Sequence, residues 1–297
     1  MIKKYYLVPI LLLLHYFAHA QSNYFFGVIR LEGLEDRPIS YILQYDRNDN
    51  ELTGHSLTDL LGRHETKNHI EGTILPESGT IQFQEKDIIY TKSKISDESF
   101  CFIDFEGELI DPFSDRPRIK GNFKGFYGSG EECARGSLDL VGSEAIKDVA
   151  KRASNKIQKS KKVPDSLKID YDLNEFFDSL HVHNLGASEN LNLFASGEEI
   201  IFDIWDSRNE DGDIINVYHN ERLLLDHFSV KNKKFKLEVK LEEAGNVFRI
   251  EALNQGSQGL NTAMIEIQDE RSVQFRSNLK KGEYSQVTVI RKTPSSN

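Results

Sequence analysis

Two cysteines, two methionines, one tryptophan and seven prolines are all that these 297 residues contain of those types. Neither cysteine has a C-x-x-C partner or an adjacent histidine, so the usual zinc-ribbon and thiol-redox patterns are excluded. No G-x-S-x-G occurs, which removes the nucleophile elbow of an α/β-hydrolase. The two histidines of His64-Glu65-Thr66-Lys67-Asn68-His69 stand one residue too far apart to share the helical face a zinc protease needs. Positive charge is also in deficit, with 37 Lys and Arg against 47 Asp and Glu and a formal charge of -10. Such a surface disfavours DNA and other polyanions as partners, so no nucleic-acid binding is expected. Beyond the first twenty residues no apolar run is long enough to span a bilayer as a helix; docking to an outer membrane surface stays compatible with the sequence.

What is present begins at the N-terminus. Lys3 and Lys4 precede the apolar run Tyr5 to Leu14 and the triplet Ala18-His19-Ala20, the pattern of a secretory signal peptide over residues 1–20 with cleavage near Ala20. Gln21 follows where a lipid-anchored protein would carry Cys. The expected location is secreted, periplasmic or at the cell surface. In an oxidising compartment two cysteines close one bridge, and Cys101–Cys133 is the expected disulfide, worth roughly 3–4 kcal/mol in the chain-entropy model.

The mature chain is predicted to be all-β. Residues 21–142 carry short period-two bursts such as Ile39-Tyr41-Leu43-Tyr45, Thr80 to Phe83, Ile88 to Lys92 and Ile119 to Phe126, separated by turn residues and punctuated by glycines. Eight or nine such strands suggest an antiparallel meander closed into a small barrel, which removes sheet edges. Residues 143–169 form an amphipathic helix and linker, with Ser143 and Glu144 at its start and lysines at its far end. Residues 170–292 alternate more cleanly, as in Phe235-Leu237-Val239-Leu241, and predict an immunoglobulin-like β-sandwich followed by a polar tail at 293–297.

Three places could carry chemistry. The polar stretch Gly54 to Asn68 supplies His55, Thr58, Asp59, His64 and Glu65, read either as a barrel-rim loop that hydrogen-bonds a ligand or as a hairpin loop satisfying its own backbone. Asp203, Asp206, Asn209, Asp211 and Asp213 crowd hard oxygen donors around Gly212; this is a calcium site of the weak extracellular kind or an acidic turn that stays solvated. His181 and His183 would share one strand face, as a transition-metal half-site or as ordinary strand histidines.

The stretch Asp211 to Asp226, with Glu251-Ala252-Leu253-Asn254-Gln255-Gly256 and Asn261-Thr262-Ala263, resembles the C-terminal sandwich modules of uncharacterised secreted bacterial proteins, and Gly54 to Asp59 with His64 to Lys67 resembles the barrel that precedes them. The resemblance implies a cell-envelope or extracellular protein and no particular activity. The function expected is non-enzymatic binding of a glycan, peptide or envelope component. The alternatives are an extracellular hydrolase whose carboxylates converge only in the fold, and a structural module of a surface assembly.

Overall fold

A computed structural model describes residues 23–60, 62–75, 77–94, 99–158, 182–207, 210–243, 245–257, 259–269 and 272–292. The segment expected to be a signal peptide, the linker expected beyond residue 158, His181 and the expected tail at 293–297 lie outside them. Among the described residues no helix is long and apolar enough to cross a membrane.

The first half is an eight-stranded antiparallel barrel built from β1 (Asn23–Leu31), β2 (Ile39–Asn48), β3 (Glu51–Thr58), β4 (Thr66–Leu75), β5 (Thr80–Thr91), β6 (Phe102–Ile110), β7 (Arg118–Phe126) and β8 (Glu132–Gly142). Each strand pairs with its neighbour in sequence, and β1 pairs with β8 to close the ring. Alternation sends Tyr41, Leu43, Ile81, Phe83, Phe105, Ile119 and Leu140 into one interior core. Gly107 and Gly121 face each other across β6 and β7, with the Phe105 ring tip over both; a β-carbon at either would collide with it.

The expected strands Thr80 to Phe83 and Ile88 to Lys92 are one strand, β5, whose register against β4 slips twice, at Lys67/Asn68 and at His69/Ile70. Such bulges bend a strand and re-aim its side chains. Here they take β5 out of the barrel: Thr80 to Gln84 pair with β6, whereas Tyr90 and Thr91 pair with β10 (Asn190–Ala195) of the second half. The helix α1 (Ser143–Gln158) touches β1 and β8.

The second half is two five-stranded mixed layers, the first of them continuous with the barrel through the β10–β5 pairing, so that together they make one thirteen-stranded sheet. One runs β13 (Arg222–Ser229), β12 (Ile214–His219), β15 (Asn246–Ala252), β18 (Tyr284–Arg291), β10, and the other runs β14 (Phe235–Lys240), β11 (Glu199–Trp205), β16 (Asn261–Gln268), β17 (Ser272–Leu279), β9 (His183–Leu185). The expected turn at Asn220-Glu221 joins β12 to β13 with both residues at positive φ, 47° and 64°, as a tight hairpin turn requires. Phe202 of one sheet meets Phe248 of the other at 5.0 Å between ring centroids. Their common core also takes in Ile42, Leu57, Ile89 and Tyr90 from the outer wall of the barrel, so the two halves share buried surface. Each such aliphatic side chain contributes about 1.5–3 kcal/mol when fully buried.

Candidate functional site

Where β5 departs from β6, the end of the barrel is left open. The connections β1–β2, β3–β4, β5–β6 and β7–β8 all lie at this end, and beneath them is a cavity of about 390 Å³. Its walls are apolar: Ile29, Leu31, Ile39, Phe123, Tyr127 and the cystine. Its polar lining includes Thr58, His64, Thr66, Asn68, Glu85 and Ser93.

Glu85 organises that lining. It is in phase with Ile81 and Phe83 and so points into the barrel, at the position where the β5–β6 ladder has just ended. The backbone N–H of Ile103, which has lost its place in the ladder, donates to Glu85 Oε2 at 2.9 Å. Tyr41 Oη and Ser56 Oγ donate to Oε1 at 3.0 and 2.5 Å. Burial pushes the Glu85 carboxyl above its ordinary range, against the opposing pull of Ser56, the Ile103 N–H, Tyr41 and Asn68. Asn68 is buried, and its Oδ1 has no hydrogen-bond partner. His64 Nδ1 lies 3.0 Å from Ser93 Oγ, and the Ser93 carbonyl accepts a hydrogen bond of 2.7 Å from Asn192 Nδ2 on β10. The second half therefore buttresses the rim of the barrel.

The five residues expected at the rim divide. Thr58 and His64 line the mouth. Asp59, at φ 56°, accepts from the His64 N–H at 3.0 Å and shapes the β3–β4 turn. His55 faces outward, and Glu65 is buried against His183, with 2.7 Å between Glu65 Oε1 and His183 Nδ1. The stretch is not one loop: Gly54 to Thr58 belong to β3 and Thr66 to Asn68 to β4, so alternation throws neighbouring polar residues to opposite faces. Glu85 and Asn68 were missed as site residues. The signal available for Glu85 was a lone acid in the inward phase of a strand, Ile81-Phe83-Glu85.

The acidic loop of the second half is partly assembled. Asp206, Asp211 and Asp213 lie close enough to act on one another electrostatically, and the Thr262 N–H donates to Asp213 Oδ2 at 2.7 Å. Asp203 is turned to Gln268 Nε2 at 2.8 Å, and Asn209 lies outside the described residues. Among the described residues no three His, Cys, Asp or Glu side chains form a group able to hold a metal ion. Burial raises Asp213 to about 6, and the charges of Asp211 and Asp206 add to it against the Thr262 N–H. A carboxyl raised in the folded state favours its protonated form, so its stabilising share is present below pH ~4 and is lost as the pH rises through about 6. Asp213→Asn is expected to be more stable than the wild type by ~1–2 kcal/mol at pH 8 and equal to it near pH 4, measured by urea unfolding. Millimolar calcium tests the cation reading in the same experiment: a wild type that gains stability at pH 8 while the Asn variant does not would place calcium on these carboxylates.

No family model, curated protein or solved structure gives a significant match to this chain.

Proposed function

We propose that this is a secreted or periplasmic binding protein whose barrel mouth takes a small, largely apolar molecule carrying one hydrogen-bond donor. The observation that carries the reading is the unpartnered Asn68 Oδ1, buried among the polar groups that line an otherwise apolar cavity. A buried acceptor without a donor costs about 1–3 kcal/mol, which a ligand hydroxyl or amine would recover. The mouth of a barrel with apolar walls and a few convergent polar groups is a common setting for such ligands. Of the ligand classes expected from the sequence, the cavity favours a compact molecule over an extended glycan or peptide. The extracytoplasmic setting is supported by the cystine, and the immunoglobulin-like reading of residues 170–292 by two five-stranded sheets facing across one core.

The test compares a medium-chain primary alcohol with its methyl ether, followed through methyl resonances of Leu31 and Ile39. The alcohol is expected to bind more tightly. Asn68→Leu should weaken the alcohol about tenfold and leave the ether unchanged, the difference being one hydrogen bond. Equal binding of both molecules, or none, would defeat the reading.

A further inference from the structure

A second cavity, of about 180 Å³, lies outside the barrel where β3, β4 and β5 meet β9 and β17. Basic side chains line it: Lys67 and His69 from β4, His55 from β3 and His183 from β9. His55 and His69 are cross-strand partners with ring centroids 5.1 Å apart. The acid at hand is already engaged. Glu65 holds His183 Nδ1 at 2.7 Å, accepts from Tyr90 Oη at 3.1 Å and pairs with Lys92 at 3.8 Å. Lys92 is shared with Glu189 at 3.6 Å.

Two groups at this cavity are left unanswered. His183 is 8 % exposed, and its Nε2 has no hydrogen-bond partner. The Lys67 ammonium has no ion pair or hydrogen bond among the described residues; the Glu65 charge acts on it only at longer range. Burial holds the Lys67 ammonium below the ordinary lysine range, against the upward pull of Glu65. A desolvated cation of this kind gains most from a counter-charge placed beside it. Three imidazoles in one cavity would also suggest a transition metal, but the described residues contain no trio arranged to hold one.

We infer that this junction cavity is a binding site for a compact oxyanion, with Lys67 supplying the charge and the buried, unpartnered His183 Nε2 the second polar contact. The shared chemistry is that of phosphate, sulfate or the carboxylate end of a larger molecule. The site is separate from the barrel mouth and does not rest on what binds there.

The experiment is a titration of the full chain with inorganic phosphate, sulfate and acetate in turn, followed by histidine ring resonances in NMR. The expected result is saturable movement of the His183 and His69 signals with at least one of the three, and the strongest responder names the source class. Lys67→Met should weaken that binding by at least about tenfold, and Lys67→Arg, which keeps the charge, should recover most of it. His227→Gln, on exposed β13, should change nothing. Absence of movement with all three anions, or binding unaltered in Lys67→Met, would overturn the assignment. So would shifts produced by zinc at equimolar concentration and absent with every anion. If Lys67→Met fails to fold, Lys67→Gln and the arginine variant carry the same comparison.

Discussion

Replacing Glu85 by Ala is expected to lower the free energy of unfolding by about 3 kcal/mol, a loss comparable to truncating a buried aliphatic side chain of the barrel core. The carboxyl answers the Ile103 N–H and two hydroxyls at once, all of them buried. Tyr41 and Ser56 can turn their hydroxyls toward one another, but the backbone N–H of Ile103 has nowhere else to turn. Relief of the carboxyl's own desolvation offsets part of the loss. Glu85→Gln keeps an acceptor for that N–H and should cost less, about 1 kcal/mol. The pH dependence gives a second check. Because burial raises the folded-state value of Glu85, its stabilising share is present at low pH and declines as the pH rises through that value. The gap between the wild type and the Gln variant should therefore narrow toward alkaline pH in urea unfolding. A gap that widened instead would mean that the carboxylate, and not the neutral acid, is the form the fold prefers.

The same residue explains what the sequence could and could not disclose. Period-two alternation is a local property, and it identified most strands of the barrel because one face of each is buried. It failed at β5, where two bulges reset the phase and made one strand look like two. Nor could it say what covers Ile42, Leu57 and Ile89, because nothing local shows that another half of the chain lies against that wall. Strand assignments around Gly54 to Asn68 suffered from the opposite error: polar residues suggested a loop where a ladder continues. A site assembled from β2, β3, β4, β5 and β6 is invisible to spacing, since Tyr41, Ser56, Asn68, Glu85 and Ile103 are brought together only by the register of closure. The cysteine pairing was legible because it depended on number and compartment and not on register.

Removing that bridge, in a Cys101→Ser, Cys133→Ser double variant, is expected to cost about 3–4 kcal/mol, from the entropy regained by the unfolded chain across a separation of 32 residues. The figure assumes that the native barrel is unstrained by the bond, and the geometry supports this. Cys101 immediately precedes β6 and Cys133 lies at the start of β8, with β7 between them; in a flat sheet they would be two strand spacings apart, ~9.6 Å. Their Cα atoms are 6.0 Å apart, within the normal range for a disulfide, because the sheet curls sharply at the mouth and Gly125 of β7 leaves the space the sulfurs occupy. A β-carbon at Gly125 would run into Cys101 Sγ. Gly125 leaves that space whether or not the bond forms, so the reduced chain should reach the same fold with a lower unfolding midpoint in urea and a somewhat steeper slope, because the unbridged unfolded chain is less compact. A slope that fell instead would show that the folded state itself had loosened. The cystine also walls the barrel cavity beside Tyr127, so the double variant should bind the medium-chain alcohol more weakly by a factor set by the loosened wall, while the response of the junction cavity to oxyanions, on the far side of β4, should be untouched. Parallel loss at both cavities would mean that the barrel as a whole had softened.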